Sequence, residues 1–350
     1  MCNIAGYIGK RDAAPILVEM MKKQEGYGGG YYTGITTHDG VKLHTVKVIG
    51  DLDNFLEETD GYHFPGKMGF LHSRSNSGGG REWGHPFTNV QGNLSYIANG
   101  SAGIFLTDEY REKSCALTTE LEAGGYVFAS KAKGIIGDYP ALADGTSIHM
   151  SDLICQYIAC LVDKGMEPDE AMSQAYSELP AEVVGLVIHE KHPDSIFASR
   201  INFPMMIGIT LDGDTYLATT ALAFPEDVTF RTIELLPPVT TFEIYAGGYR
   251  TSAHPIRVDN VAPITPDIWH RAYQRIEETL QNNKGTPLSV QAVIDACDDI
   301  WPSGMLQQGA PLVYEIMRAL KKEGKLQVVP VQVSGAFEGY STNNFRICIQ

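Results

Sequence analysis

The residue with the clearest chemical potential is Cys2, which becomes the first residue of the chain if Met1 is removed. An N-terminal cysteine carries a thiol and a free α-amine on adjacent atoms. This amine has an ordinary pKa of about 7.7 to 8.0, so near neutral pH it can accept the thiol proton directly or through a water molecule. The alternative is that a cysteine after the initiator methionine is incidental. The catalytic interpretation predicts that Met1 is absent from the mature protein.

Two further positions carry groups that suit the chemistry of an acyl compound. Arg74 ends the apolar segment 67 to 75, where a half-buried guanidinium needs an anionic partner, either a ligand carboxylate or a structural Asp or Glu. Asn99 and Gly100 follow the apolar segment 94 to 98. An Asn-Gly pair usually forms a turn, but a side-chain amide beside a backbone N–H also supplies two donors for a developing oxyanion.

Strands are predicted to position these groups. The residues after Cys2 are typical of a buried strand, and Asp39-Gly40 between two β-rich segments predicts a hairpin. Apolar residues at helical spacing predict helices, whereas strand patterns dominate both ends of the first 250 residues. This arrangement indicates an α+β layering rather than repeated βαβ units. The predicted helices cover residues 13 to 23, 108 to 123, 150 to 164 and 168 to 178.

Composition places the chain among ordinary globular proteins. Its 350 residues are 43% hydrophobic, enough for a sizeable core and for two domains. We find no run of apolar residues long enough for a membrane span and no signal peptide, so we expect a cytoplasmic protein without membrane partners. The six cysteines are scattered without C-x-x-C pairs, so we predict no metal site, and we expect no cofactor. The formal charge of −15 disfavours binding to nucleic acid.

The last hundred residues have a pattern of their own. Prolines in residues 249 to 264 predict a linker after a first domain that covers residues 1 to 248. Residues 265 to 350 then show three helices followed by two strands, which resemble a small winged-helix-like domain. The predicted helices cover 267 to 282, 288 to 299 and 310 to 323, and the predicted strands cover 326 to 333 and 345 to 349. Its helices carry few basic residues, so nucleic acid is not expected as a partner. We predict instead that it is a docking surface for another subunit.

Taken together, four features resemble the class II glutamine amidotransferases, and in particular the glutaminase half of the glucosamine-6-phosphate synthases. These features are the Cys2 strand, Arg74 after His72-Ser73, His85-Pro86 and Asn99-Gly100. In the family the corresponding motifs read Met-Cys-Gly-Ile, His-Thr-Arg-Trp, Asn-Ala-His-Pro and His-Asn-Gly. The resemblance covers residues 2 to 248, and the sugar-isomerase half of those synthases has no counterpart in the sequence.

The resemblance implies a four-layer αββα N-terminal-nucleophile hydrolase fold and hydrolysis of L-glutamine through a thioester on Cys2. It implies that Asn99 and the N–H of Gly100 hold the oxyanion and that Arg74 pairs with the α-carboxylate of glutamine. His85 and Ser75 fall at further substrate-binding positions. The ammonia would pass to a separate synthase subunit, and association with a second copy of the chain is the other predicted assembly.

The sequence also departs from the family pattern. Asn3 replaces the glycine after the nucleophile, and Ser75 replaces the tryptophan after the arginine. The acidic residue that would bind the α-amine falls near Thr146 by direct register, with Asp144 or Asp138 as shifted candidates. Two alternatives therefore stand beside glutamine hydrolysis. One is an amidohydrolase of the same fold that acts on another amide, and the other is a regulatory protein without catalysis.

Overall fold

The computed structural model describes residues 2–134, 136, 139, 140, 142 and 144–350. Its mixture of helices and sheets confirms the predicted α+β class. The first large sheet has seven strands in the order β13-β11-β12-β1-β4-β2-β3. These strands are β1 (Asn3–Ile8), β2 (Tyr32–His38), β3 (Leu43–Ile49), β4 (Met68–Arg74), β11 (Met206–Thr210), β12 (Thr215–Ala218) and β13 (Phe230–Leu235).

The second large sheet has six strands in the order β15-β14-β10-β9-β6-β5. Like the first, it is antiparallel throughout. Its strands are β5 (Phe87–Thr88), β6 (Leu94–Ser101), β9 (Glu182–His189), β10 (Ile196–Arg200), β14 (Thr240–Tyr245) and β15 (Gly248–Thr251). A separate two-stranded ribbon pairs β7 (Ala132–Lys133) with β8 (Thr146–Ser147).

An apolar core joins the two large sheets face to face. Ile4 and Phe70 from the first sheet and Ile97 and Leu186 from the second belong to this one buried cluster. Because side chains alternate between the faces of a strand, the neighbours Ala5 and Leu71 point the other way. They join the cluster beneath the helix that follows β1.

Helices cover the outer faces of both sheets, so the first part of the chain has the order helix, sheet, sheet, helix. The helix Ala13–Gln24 packs on the seven-stranded sheet, and Met150–Asp163 and Pro168–Glu178 pack on the six-stranded sheet. Cys155 and Cys160 lie buried on one of these packed helices, as its apolar stripe predicts. The helices in chain order are α1 (Ala13–Gln24), α2 (Leu52–Glu58), α3 (Asp108–Ala123), α4 (Met150–Asp163) and α5 (Pro168–Glu178).

The C-terminal part has its own apolar core and a three-stranded sheet in the order β16-β18-β17. The single helix expected over 288 to 299 is wrong, because Leu288 pairs with Ile347 in this sheet and Ser289 caps a shorter helix. The elements are α6 (Pro266–Asn282), β16 (Leu288–Ser289), α7 (Val290–Asp295), α8 (Gly309–Lys322), β17 (Leu326–Ser334) and β18 (Ser341–Ile349).

The segment predicted as a linker is only partly irregular. Its first residues continue β15 as far as Thr251, paired with β14. Farther on, Ile256 and Ala262 are buried. Both parts of the chain are therefore tied to this segment by packing. No helix in the described part of the chain is both long and apolar enough to cross a membrane.

Aromatic contacts join the C-terminal part to the first part. Tyr27, which follows α1, packs edge-on against Tyr314 of α8 and Phe345 of β18, with ring centroids 5.8 and 5.1 Å apart. Leu222 packs against the same C-terminal core. The C-terminal helices and sheet thus rest on the turns that follow α1 and β12 in the first part of the chain.

Candidate active site

A cavity of about 430 Å³ lies where β1 begins and where β4 and β6 end, and it collects most of the residues singled out in the sequence. Cys2, Arg74, Ser75, His85, Asn99 and Gly100 all line it, although they come from three separate parts of the chain. The other lining residues are Ser77, Ala98, Ser101, Ala102, Tyr139, His149, Met150, Ser151, Phe203 and Gln291.

Asn99 holds the backbone of Cys2 from the opposite sheet. The N–H of Cys2 donates to Asn99 Oδ1 at 3.2 Å, and Asn99 Nδ2 donates to the carbonyl of Cys2 at 2.8 Å. Asn99 is itself fixed because it pairs with Val184 in the centre of the six-stranded sheet. One side chain therefore bonds both backbone groups of the candidate nucleophile. The second hydrogen on Asn99 Nδ2 is left for a ligand oxygen.

The Cys2 thiol is half-buried beside Ser75. The N–H of Ser75 donates to Cys2 Sγ at 3.4 Å, and Ser75 Oγ lies 3.6 Å from the same sulfur. Burial raises the pKa of this thiol, but the nearby His72, with help from the amino terminus and the Ser75 N–H, lowers it from 9.0 to about 6. Cys2 is therefore mainly a thiolate at neutral pH, the form of cysteine that acts as a nucleophile.

Arg74 is a buried cation beside the cavity. Its guanidinium donates to the carbonyl of Gly78 at 2.9 Å and to the Tyr139 hydroxyl at 3.2 Å, and it lies 4.7 Å from the Tyr32 ring centroid. Within the described residues, no carboxylate lies at salt-bridge distance from it. A buried guanidinium with only neutral partners is suited to an anionic group on a ligand.

Three histidines form a cluster behind the thiol. The ring centroids of His72 and His85 are 4.0 Å apart, and those of His85 and His149 are 5.2 Å apart. Burial, followed by the charges of neighbouring histidine and arginine side chains, lowers the pKa values of His85 and His149 well below 6.5. Both rings are therefore neutral at physiological pH, and Arg74 is the fixed positive charge of the lining.

Curated relatives match about two thirds of the chain. The glutamine–fructose-6-phosphate aminotransferase of Chlorobaculum tepidum is 28% identical over 230 residues, 65% of this chain and 33% of that protein. The enzyme of the same name from Clostridium tetani is 30% identical over 211 residues, 60% of this chain and 30% of that protein. The chain spans about a third of the length of these relatives. No family model matches it.

Solved structures share the fold. A glutamine phosphoribosylpyrophosphate amidotransferase from B. subtilis superposes with a TM-score of 0.57 at 17% identity, covering 81% of this chain and 59% of that one. By sequence and by fold, the chain is a relative of the glutamine amidotransferases. One further curated aminotransferase, from Bacteroides thetaiotaomicron, aligns over 97% of this chain and 55% of its own length at 24% identity.

Asp144, a site residue predicted from the sequence, lies away from the cavity. Asp144 is exposed in a turn, where its Oδ1 accepts the backbone N–H of Thr146 at 3.0 Å and the Thr146 hydroxyl at 2.7 Å. It is not among the lining residues. The other candidate for binding the α-amine, Asp138, and the initiator Met1 lie outside the described residues. Recognition of the amine and removal of Met1 stay predictions.

The structure adds lining residues that the sequence analysis missed. Tyr139 bridges Arg74 and Ser77 through its hydroxyl, and His149 caps α4 by accepting the Ser151 N–H at 3.0 Å. Gln291 comes from α7 in the C-terminal part. Histidine is not among the preferred N-cap residues, so the sequence did not mark His149, and nothing in the local sequence marks Gln291 as part of a distant cavity.

Proposed function

We propose that this chain is a glutamine amidotransferase that hydrolyses L-glutamine to glutamate and ammonia through a thioester on Cys2. The observation that carries the proposal is the convergence of three groups on one cavity. These are the Cys2 thiol, the amide of Asn99 and the Arg74 guanidinium. The relatives and the fold neighbours, whose names contain glutamine and an amino- or amidotransferase activity, support the same reaction.

In the proposed mechanism the thiolate of Cys2 attacks the carboxamide carbon of glutamine. The carbonyl oxygen gains negative charge, and the free hydrogen on Asn99 Nδ2 and the N–H of Gly100 are the donors assigned to it. When this intermediate collapses, the proton first removed from the thiol is returned to the amide nitrogen, which leaves as ammonia, and a thioester remains. Water then releases glutamate and restores the thiol.

Arg74 is assigned to the α-carboxylate of glutamine. A guanidinium can form two parallel hydrogen bonds with a carboxylate, and the absence of an acidic partner among the described residues leaves this one available. Ser75 and His85 would shape the remainder of the site, since Ser75 contacts Cys2 Sγ and His85 lines the cavity.

One observation favours an alternative substrate. None of the described lining residues is acidic, so the described part of the cavity offers no carboxylate for the α-amine of glutamine. An amide with a carboxylate but no amine would meet the same thiol and guanidinium. Comparing the hydrolysis rates of glutamine and of glutaramate, which lacks the amine, separates the two functions. Faster hydrolysis of glutamine supports the amidotransferase, and equal rates support a broader amidohydrolase.

We further propose that the ammonia is used by a separate synthase subunit and that the C-terminal part is a winged-helix-like module. The order α6-β16-α7-α8-β17-β18, with the sheet that it forms, supports this topology. In such modules the third helix is the one that reads nucleic acid. Here α8 is largely buried, with Tyr314 against Tyr27, so the module is not proposed to bind nucleic acid.

The direct test is release of glutamate and ammonia from glutamine by the purified protein. Cys2→Ala should abolish it without unfolding the chain, and an electrophilic glutamine analogue should label Cys2 in the unchanged protein. Intact mass should show that Met1 is absent. Cys155→Ala is the matched control, because that thiol is buried on α4. Labelling at another cysteine, with Cys2 untouched, would contradict the assignment of the nucleophile.

A further inference from the structure

We propose that His72 accepts the proton of the Cys2 thiol, so that the nucleophile has a base other than its own α-amine. The inference rests on the proposed role of Cys2 as nucleophile. It concerns how the thiol is activated, and it holds for any amide substrate.

The pairing of β1 with β4 puts the two side chains on one face. Ile4 lies directly opposite His72, and the two strands are antiparallel. Side chains two residues apart share a face, so Cys2 lies on the same side as Ile4 and is the diagonal neighbour of His72. Diagonal neighbours on an antiparallel pair lie within reach of long or aromatic side chains.

Hydrogen bonding fixes the tautomer of His72. Its Nε2 lies 2.8 Å from the carbonyl oxygen of Ala98. A carbonyl can only accept, so Nε2 carries the hydrogen and, in the neutral ring, Nδ1 carries the lone pair. The Nδ1 atom of His72 is buried, and none of the described residues forms a hydrogen bond with it. A buried lone pair without a partner is ready to accept a proton.

Both members of the proposed pair are held by adjacent residues of β6. Ala98 binds the imidazole of His72, and Asn99 binds the backbone N–H and carbonyl of Cys2. On its other side the His72 ring packs on His85, with centroids 4.0 Å apart. The separation of thiol and imidazole is therefore set by the packing of the two sheets.

The surrounding charges favour a thiolate beside His72. Arg74 on β4 is cationic, whereas His85 and His149 are kept neutral because burial and nearby charges lower their pKa values. Burial raises the pKa of Cys2, but His72 is the largest influence that lowers it, ahead of the amino terminus and the Ser75 N–H. No acidic residue lies in the described lining to oppose the effect.

The step balances as a proton transfer followed by acyl transfer. The S–H bond of Cys2 breaks and an N–H bond forms at His72 Nδ1, giving a thiolate and an imidazolium. The thiolate forms a bond to the amide carbon, and the carbonyl electron pair moves to oxygen. When the C–N bond breaks, the proton held by His72 is returned to the departing nitrogen, which leaves as ammonia.

The test measures the reactivity of the thiol without glutamine. Alkylation of Cys2 by iodoacetamide is followed from about pH 5 to 9 by mass spectrometry of the N-terminal peptide. The midpoint near 6 expected for the unchanged protein should rise by about one to three pH units in His72→Gln, which keeps a donor for Ala98. His44→Gln on β3 is the control and should leave the midpoint unchanged. An unchanged midpoint in folded His72→Gln would overturn the proposal.

A second measurement needs no change at His72. A form of the protein that retains Met1 has no α-amine on Cys2 itself, so its thiol is activated by His72, with lesser help from the amino terminus and the Ser75 N–H. Its alkylation midpoint should stay well below 9.0, the ordinary value for a cysteine. A midpoint that returns to about 9 assigns the activation to the α-amine and overturns the role of His72. If Cys2 alkylates at low pH but glutamine is not hydrolysed, the proposed function fails while the Cys2–His72 pair stands.

Discussion

Asn99 combines two roles at the scale of a single residue. Its amide fixes the backbone of Cys2 through two hydrogen bonds, and it retains one hydrogen for the proposed oxyanion. The family resemblance suggested only the second role. The structure shows why an asparagine suits this position, since one side chain must accept from an N–H and donate to a carbonyl at once.

Replacing Asn99 by alanine should lower the rate of glutamine hydrolysis by about a hundred- to a thousandfold, the usual loss for one oxyanion donor. The measurement is kcat and KM for glutamate release. Alkylation of Cys2 by iodoacetamide should continue in the variant, which would show that the thiol remains accessible. Equal loss of alkylation and hydrolysis would mean that Asn99 serves only to position Cys2.

The lowered pKa of Cys2 predicts the pH dependence of the reaction. The thiolate is the reactive form, and it is lost as pH falls through about 6. We therefore expect kcat/KM to be constant just above about pH 6 and to fall about tenfold for each pH unit below it. An acid limb near 8 to 9, where an ordinary thiol titrates, would contradict the depressed pKa of Cys2.

At the scale of elements, β4 serves both sides of its sheet. His72 and Arg74 lie on the face towards the second sheet, where Arg74 lines the cavity, whereas Ser73 lies on the other face and donates to Glu25 at 2.7 Å. Glu25 also accepts from the N–H of Leu52 at 3.2 Å. Burial raises the pKa of Glu25 to about 7, and the hydrogen bonds from Ser73 and Leu52 oppose that rise only in part. A titrating carboxyl group thus lies directly beneath the strand that carries the candidate site.

Glu25 should make the protein less stable as pH rises. The unfolded carboxyl titrates near 4.5 and the folded one near 7, so between these values the unfolded state has lost a proton that the folded state still holds. The free energy of unfolding then falls with pH, by about 3 kcal/mol across this window. Urea unfolding at several pH values measures it.

Glu25→Gln should remove most of that slope, because an amide does not titrate. Glu19→Gln on the exposed side of α1 is the matched control and should leave the slope unchanged, since its carboxylate only pairs with Lys22 at the surface. If the Glu25 variant kept the full pH dependence, another group would be responsible.

At the scale of the whole molecule, a buried arginine joins the two parts of the chain. Arg200 in β10 donates to the carbonyls of Phe203 and Leu236 and to the Oε1 of Gln308, each at 2.6 Å. Gln308 in turn donates to the carbonyl of Ala262 at 2.7 Å. Burial lowers the pKa of Arg200 to about 9, and the hydrogen-bond partners of this cation among the described residues are neutral oxygens.

Replacing Gln308 by alanine should lower the free energy of unfolding by about 1 to 3 kcal/mol, because a buried donor on Arg200 and the Ala262 carbonyl both lose their partner. The midpoint of urea unfolding measures the loss. Gln307→Ala is the control, because that side chain makes only a 3.5 Å contact with the carbonyl of Asp298. Equal effects of the two variants would show that the Arg200 contact does not stabilise the junction.

Local patterns in the sequence were sufficient to predict most of the helices and strands. The helices over 108 to 123 and 168 to 178 begin and end where the apolar spacing predicts, because helix periodicity and capping are properties of neighbouring residues. The strands beside Cys2, Arg74 and Asn99 were also predicted from local sequence, because each contains a short run of apolar residues. The first half of β18 is polar and shows no apolar alternation. The sequence therefore predicted that this strand begins at residue 345, whereas it begins at Ser341.

The tertiary structure alone decided which groups meet. Cys2 and Asn99 are 97 residues apart, and their contact depends on two sheets packing face to face. The pairing of β1 with β4 makes His72 the diagonal neighbour of Cys2, and the docked C-terminal part brings Gln291 to the cavity, while Asp144 stays in a surface turn. Residue type therefore determined the available chemistry: a thiol, a guanidinium and an amide. Long-range contacts, which no short segment encodes, determined which of these groups face one another and what encloses them.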